Sequence, residues 1–183
     1  MQLPPNSPQQ DQKKIGAVML ALMWVGIFIV LGVFFSDILD KQRNPNQSVS
    51  TQVLSDKVKE LVLKRNRMGH YVANGRINSQ PVTFMLDTGA TDVSIPEPIA
   101  RKLQLKPGHQ ATYQTANGTV QVRMTMLDSI SLGDIKLSNV RATINPGYKS
   151  HEILLGMSFL KHLEFSQRGN ILTLRQYPEG QNP

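Results

Sequence analysis

The stretch that decides the fold is VTFMLDTGA, residues 82–90, in which one carboxylate, Asp87, ends an apolar run. A second run rich in β-branched and apolar residues, 90–95, follows directly. Asp, Thr and Gly are common in surface turns, but a surface turn does not need apolar strands on both sides. Between two such strands the acid is expected near a core, where an isolated charge is costly. Asp87 therefore needs a compensating arrangement.

One such arrangement also performs chemistry. Two carboxylates held within hydrogen-bonding distance share one proton and titrate as a pair. The ionised member can take a proton from water that attacks a carbonyl, while the protonated member polarises the carbonyl oxygen. Thr88 would brace the loop through its hydroxyl, and Gly89 would let backbone approach the carboxylates closely. The pattern predicts that Asp87 acts as one of a catalytic pair.

Three motifs carry a resemblance to a known family: FMLDTGA at 84–90, a hairpin at 113–122, and ILLG at 153–156 before a helix. Together they resemble the retropepsin-like aspartic proteases. The segments LGMSFL (155–160) and GHY (69–71) are similar to the single-pass, membrane-anchored bacterial branch of that family. The resemblance covers residues 60–176 and implies an all-β acid-protease barrel with one or two short helices.

The resemblance also implies roles for single positions. Asp87 matches the catalytic aspartate, and Thr88 matches the residue that links the two active-site loops across a dimer. Further matches are the loop positions Gly89 and Ala90 along the substrate backbone, and the flap residues Ala116, Asn117 and Gly118 above the cleft. The chain departs from retroviral members at residues 91–92 and 157–158. Substrate preference therefore cannot be read by analogy.

The catalytic triplet occurs once. The nearest second candidate, Asp128-Ser129-Ile130, lacks the glycine. The segment beyond the apolar N-terminal region has the size of one domain, about 120 residues. The second carboxylate is therefore expected from Asp87 of another copy, across a two-fold axis. The sequence predicts a homodimeric aspartic endopeptidase that hydrolyses peptide or protein substrates.

An apolar segment near the start predicts a membrane anchor. Residues 15–35 are uncharged, and at ~1.5 Å per residue they span about 32 Å, enough for the hydrocarbon core. A signal peptide is the alternative, but the run exceeds the usual ~7–15-residue apolar region. Lys13 and Lys14 abut its first end, which favours the N-terminus inside and the domain outside the cytoplasm. The expected location is a bacterial inner membrane with a periplasmic protease domain.

The remaining boundaries follow composition. Residues 1–14 are predicted to be a disordered tail, 36–58 a flexible tether, 59–177 the protease domain and 178–183 a C-terminal tail. Residues 60–65 are predicted as a strand, with a short helix capped by Ser55 as the alternative. Asn117-Gly118 between two β-rich runs predicts a hairpin turn. Further strands are expected at 69–77, 81–86, 93–95, 111–116, 119–127, 130–132, 135–144 and 170–175, with short helices near 99–103 and 157–162.

Several functional classes are disfavoured. The chain has no cysteine, which excludes disulfides and thiolate chemistry, and its four histidines show no ligand spacing, so neither metal nor cofactor is expected. The net charge of +7 is scattered along the sequence, and no nucleic-acid module is recognised. Asp92 could bind substrate backbone or its own turn, and Tyr113 could lean over the cleft or sit on a strand face. A retropepsin-like domain that binds peptides without cleaving them remains the alternative function.

Overall fold

The computed structural model describes residues 8–115 and 118–178, without the side chains of 8–14 and Asp56. Two compact units divide the chain, Met1–Asp40 and Lys41–Pro183. The first consists of most of helix α1 (Pro8–Arg43), whose apolar window from Ile15 onwards is long and apolar enough to cross a membrane and is not buried by protein. A signal sequence near the N-terminus would share these properties.

Helix α1 is longer than the predicted span of 15–35. Within the predicted disordered tail, residues 1–7 lie outside the described part of the chain, but 8–14 are helical. At the other end the helix continues to Arg43. Gln, Lys, Leu and Arg are good helix formers, so a helix nucleated in the apolar run extends through such residues at little cost.

The second unit holds the sheets. Its strands are β1 (Thr51–Val53), β2 (Lys59–Lys64), β3 (Tyr71–Ile77), β4 (Gln80–Leu86), β5 (Val93–Pro96), β6 (Gln110–Thr115), β7 (Gly118–Leu132), β8 (Ile135–Asn145), β9 (Ile153–Leu155), β10 (Glu164–Arg168) and β11 (Ile171–Gln176). Its short helices are α2 (Glu97–Lys102) and α3 (Met157–Leu160), with a 3₁₀ turn at Ser55–Lys57.

In the described residues these strands form a four-stranded sheet, ordered β1-β2-β11-β10, and a seven-stranded sheet, ordered β3-β4-β9-β5-β8-β7-β6. The long strand β7 closes the larger sheet into a barrel. Its first half pairs with β6, and its second half pairs with β8 and also with β3. The ring from β3 to β7 is a barrel, which confirms the all-β class with few helices.

The barrel encloses the main core. Phe84, Ile153 and Phe159 are fully buried there. Gly75 lets β3 approach its neighbours, because a Cβ at this position would lie 2.4 Å from the carbonyl oxygen of Ser131. Buried residues alternate along β2 and β11, as a strand with one face on the core requires, whereas all four residues of β5 are buried.

The prediction that residues 36–58 form a flexible tether is wrong over much of this range. Asn44 and Asn46 are buried, and β1 pairs with β2. The side chain of Asn46 donates to the carbonyls of Lys64 (2.9 Å) and Val72 (2.7 Å) and accepts from the amide of Lys64 (2.7 Å). By composition a polar, Asn-rich segment resembles a loop. Here an asparagine side chain bonds to backbone groups that would otherwise pair with another strand. The segment is part of the folded domain.

Other local predictions are mostly confirmed. Residues 59–64 form strand β2 rather than a helix, and 110–115 pair with 118–123 as the predicted hairpin. The predicted strands at 119–127 and 130–132 are one continuous strand, β7. Strand β10 was not predicted, because four of its five residues are exposed and lack a clear apolar alternation.

Candidate active site

Asp87 lies where strand β4 leaves the barrel. The parallel partner of β4 is β9, with Leu86 opposite Leu155. The amide of Asp87 donates to the carbonyl of Leu155 (3.2 Å). The backbone of Asp87 is therefore fixed to strand β9 of the barrel. The chain then turns, and the amide of Gly89 donates to Oδ1 of Asp87 (2.9 Å). This bond orients the carboxylate, which is half-buried rather than enclosed.

The remaining loop residues predicted for the site occupy different surroundings. Gly89 and Ala90 line the same cleft as Asp87. Thr88 is exposed and is not among the described residues that line this cleft. The sequence argument expected Asp87 near a core; in the single chain this residue is half-buried and Thr88 beside it is exposed.

The loop is held from behind by the start of helix α3. The amide of Met157 donates to the carbonyl of Ala90 (2.8 Å), and the amide of Ser158 donates to that of Thr91 (2.9 Å). The hydroxyl of Ser158 accepts from the amide of Val93 (3.0 Å). These bonds tie the residues that follow Asp87 to one short helix, while the amide of Asp87 is bonded to strand β9, so the loop is restrained at both ends.

Gly156 makes this close packing possible. A Cβ there would lie 2.3 Å from the carbonyl oxygen of Asp92 and 2.6 Å from that of Ala90. Both contacts are with backbone, which cannot rotate away as a side chain could. The ILLG motif at 153–156 thus places strand β9 behind the Asp87 loop, and its glycine is required by space.

An open cleft of about 740 Å³ runs from this loop to the β6–β7 hairpin. Its lining comes mainly from the Asp87 loop, the hairpin, and the end of β8 with the loop that follows it, and Leu154 of β9 also contributes. The principal residues are Asp87, Gly89, Ala90, Thr115, Gly118, Val120, Asn145, Tyr148 and Leu154. Gly118, predicted as a flap residue, is part of this lining, whereas Ala116 and Asn117 lie outside the described residues.

Asp92 is buried, with 3% of its surface exposed. Its Oδ1 accepts from Nε of Arg141 (2.8 Å), and its Oδ2 accepts from the hydroxyl of Tyr113. Burial, together with the neighbouring Asp92, raises the pKa of Tyr113. The hydrogen bond to Asp92 raises the pKa of Arg141. Neither expectation for Asp92 anticipated these partners, since no sequence spacing links residues 92, 113 and 141.

Two residues of the loop after β8 were not identified from the sequence. Tyr148 lines the cleft, and its hydroxyl is buried. Burial raises the pKa of Tyr148. Glu152 accepts from the hydroxyl of Ser150 (2.6 Å) and from Nε of Arg43 (2.7 Å). Burial opposes ionisation, but these bonds outweigh it and lower the pKa of Glu152.

The arrangement presents one carboxylate, Asp87, that is oriented by its own loop yet accessible from a cleft bordered by the β6–β7 hairpin. One copy of Asp87 cannot form the proton-sharing pair, because the triplet occurs once in the sequence. Within a single chain, the cleft holds half of the predicted chemistry.

Known proteins resemble this chain in sequence and in fold. Residues 73–162 match the model of the family described as "gag-polyprotein putative aspartyl protease". Among solved structures, a retropepsin-like aspartic protease from Rickettsia conorii is 31% identical, covers 70% of this chain and 96% of its own, and has a TM-score of 0.56.

Two curated relatives are proteins named as uncharacterised. The first, from Sinorhizobium sp. and encoded in the 5′ region of cobV, is 35% identical over 125 residues, 66% of this chain and 54% of its own length. The other, RP867 of Rickettsia prowazekii (strain Madrid E), is 29% identical over 149 residues, 78% of this chain and 64% of its own length. The chain thus spans less than two thirds of either relative.

Proposed function

Because this chain belongs to the retropepsin-like aspartic proteases, we propose that it is a membrane-anchored aspartic endopeptidase that acts as a homodimer. The observation that carries the proposal is the position of Asp87. Its carboxylate is oriented by the amide of Gly89, opens into the cleft, and stands on a loop bonded to β9 and α3. Rigidity and access together are what a catalytic acid requires.

The second carboxylate comes from Asp87 of another copy. Two such groups across a two-fold axis share one proton, because both cannot ionise cheaply at close range. The ionised member takes a proton from water as that water attacks the peptide carbonyl. The protonated member donates to the carbonyl oxygen and later helps to protonate the departing nitrogen. The exposed Thr88 is available for contact between the two loops.

The substrate is an extended peptide or protein segment. The cleft of about 740 Å³ is bordered by the β6–β7 hairpin and the Asp87 loop, both of which offer backbone groups for strand-like pairing. Gly89 and Ala90 would contact the peptide backbone, and Ala116, Asn117 and Gly118 would cover it as a flap.

Helix α1 supplies the anchor. Its length and apolarity suit a single pass through a bacterial inner membrane, and Lys13 and Lys14 favour a periplasmic position for the domain. Two copies confined to one plane meet at a higher effective concentration than two copies free in solution. Tethering would therefore favour the active dimer.

The test is cleavage of a peptide library by the full chain in lipid nanodiscs or detergent, compared with Asp87→Asn. We expect cleavage by the wild type and a loss of at least about 10³-fold in kcat/KM for the variant, which cannot provide the proton-sharing pair. Retained fold and retained peptide binding in the variant confirm that the loss is chemical. If neither protein cleaves any peptide while both bind peptides equally, the domain is a non-catalytic peptide-binding module instead.

A further inference from the structure

The buried carboxylate of Asp92 joins three elements that border the cleft. It stands directly before β5, on the loop that begins with Asp87, and is 3% exposed. Its two oxygens accept from different strands: Oδ2 from Tyr113 on β6, and Oδ1 from Arg141 on β8. We call these three residues the Asp92 latch.

Tyr113 connects the latch to the hairpin above the cleft. It lies on β6 opposite Val120 of β7, two positions before the last residue of the strand, Thr115. Thr115 and Val120 both line the cleft. A fixed hydroxyl at Tyr113 therefore restrains the part of the hairpin that borders the cleft with Asp87. The sulfur of Met124, 3.9 Å from that hydroxyl, is a much weaker partner than the carboxylate.

Arg141 connects the latch to the barrel wall. Its guanidinium bonds to Asp92, and its carbonyl accepts from the hydroxyl of Ser158 (2.8 Å). Ser158 also accepts from the amide of Val93, directly after Asp92. On the barrel side the carboxylate is thus bonded to Arg141, and Ser158 joins the backbone of Arg141 to that of Val93, whereas Tyr113 provides the bond to the hairpin.

Chemistry explains why the connection is strong. A buried carboxylate is costly unless donors satisfy its oxygens. Hydrogen bonds to an ionised group are about twice as strong as neutral ones. Removal of the Tyr113 hydroxyl would leave Oδ2 without its donor, so the hairpin and the Asp87 loop would lose their direct side-chain bond.

We propose that Asp92 and Tyr113 are positioning residues that hold the β6–β7 hairpin closed over Asp87 before substrate arrives. The inference rests on the proposed protease function for its kinetic consequence, but the positioning itself is a property of the fold. In the free enzyme the latch keeps the binding-competent hairpin position populated. A protein whose competent state is less populated binds its ligand more weakly by the same factor.

The first experiment requires no catalysis. Amide hydrogen exchange is measured by mass spectrometry on the full chain in nanodiscs, for wild type, Tyr113→Phe and the control Tyr177→Phe. Tyr177 also donates to a carboxylate, Glu164, but outside the cleft lining. We expect Tyr113→Phe to accelerate exchange in 110–115 and 118–123 by about ten-fold or more. The control should leave these peptides unchanged. Equal hairpin exchange in all three proteins would overturn the proposal.

The second experiment separates positioning from general destabilisation. If the wild type cleaves peptides, Tyr113→Phe should raise KM by about ten-fold with kcat within about two-fold, because substrate binding must now close the hairpin. Asp92→Ala removes the acceptor of the Tyr113 hydroxyl and also the bond to Arg141. Adding Tyr113→Phe to Asp92→Ala should therefore raise KM little further than Asp92→Ala alone. A fall in kcat at constant KM would contradict the latch. So would a double variant whose rise in KM equals the product of the two single rises.

The two hypotheses fail separately. A protein that cleaves nothing, yet shows hairpin exchange dependent on Tyr113, retains the latch and loses the protease function. Loss of cleavage in Asp87→Asn, combined with unaltered hairpin exchange in Tyr113→Phe, retains the protease and removes the latch.

Discussion

Arg43 and Glu152, 109 positions apart in the sequence, form an ion pair with a distance of 2.7 Å between Nε and Oε1. Arg43 is the last residue of helix α1, and Glu152 directly precedes strand β9, which packs behind Asp87. Glu152 also belongs to the loop that carries Tyr148 into the cleft. Within the Lys41–Pro183 unit, Arg43 is therefore bonded to the loop that leads into β9 of the candidate active site.

The first prediction concerns this pair and pH. Glu152→Gln should lower the free energy of unfolding by about 1 kcal/mol at pH 7, a modest amount because Arg43 is half exposed. The pKa of Glu152 is lower in the folded state than its ordinary value of 4.5. Its stabilising contribution is thus complete above that value and is lost as the pH falls through the folded pKa.

Thermal unfolding of the Lys41–Pro183 unit from pH 7 down to pH 3 measures this effect. The difference in Tm between wild type and Glu152→Gln should shrink with acidification. Arg101→Gln is the control, since Arg101 pairs with Glu97 on an exposed helix face and should cost about 0.5 kcal/mol or less. A Tm difference that grows towards low pH would contradict the assigned sign.

The second prediction concerns the segment that follows α1. A fragment beginning at residue 41 should fold stably, whereas one beginning at residue 55 should melt roughly 10 °C lower. The shorter fragment lacks β1 and Asn46, which leaves backbone groups of Lys64 and Val72 without partners. Differential scanning calorimetry on both fragments is the measurement.

A matched pair of point variants locates the cause. In the longer fragment, Asn46→Ala should cost about 3 kcal/mol, because one buried and two partly buried hydrogen bonds are lost. Asn170→Ala removes an exposed asparagine and should cost about 0.5 kcal/mol or less. Equal melting of the two fragments would mean that residues 41–54 are a passive connection.

The third prediction concerns the space at Gly156. Gly156→Ala should lower the free energy of unfolding by about 2–4 kcal/mol, because the new methyl group meets two backbone carbonyls and the loop must move. Peptide cleavage should fall by about 10²-fold or more, since small misplacements at a catalytic loop are expensive. Chemical denaturation and single-turnover cleavage provide the two values.

Gly169→Ala is the appropriate comparison. Gly169 has a φ of 56° with open space around it, so alanine there meets only conformational strain of about 1 kcal/mol. The Gly169→Ala variant should cleave peptides at the same rate as the wild type. If Gly156→Ala cleaves peptides normally, the loop does not depend on close contact with β9.

The fourth prediction tests the shared active site. Wild type and Asp87→Asn are co-expressed in equal amounts at constant total protein and reconstituted together. If each active unit needs two Asp87 side chains, activity should fall to about a quarter of the wild-type value, the share of pairs with both acids. Catalysis within a single chain would leave half. This ratio is the same for tight and weak dimers, so the result does not depend on their affinity.

Much of the fold could be predicted because its signals are local. Alternating apolar residues indicated most strands, and the turn at residues 117–118 indicated the β6–β7 hairpin. The Asp-Thr-Gly triplet at residues 87–89, between two apolar runs, indicated Asp87 as the candidate acid and Gly89 as part of its loop. Strand β10 escaped because an exposed edge strand has no apolar face to reveal it. The segment 44–53 was misjudged because composition cannot show that Asn side chains will take the place of strand partners.

The sequence by itself determined the class of the protein: an apolar helix, a run of short strands, and one Asp-Thr-Gly, from which a second copy is predicted. These features depend on neighbours a few positions apart, and short-range patterns record such relationships directly. Only the tertiary structure decided which side chains meet, as Asp92 meets Tyr113 and Arg141, and as Arg43 meets Glu152. Such contacts depend on strand register and on closure of the barrel. Both result from many weak interactions along the whole chain, so the residues that meet carry no local sequence pattern.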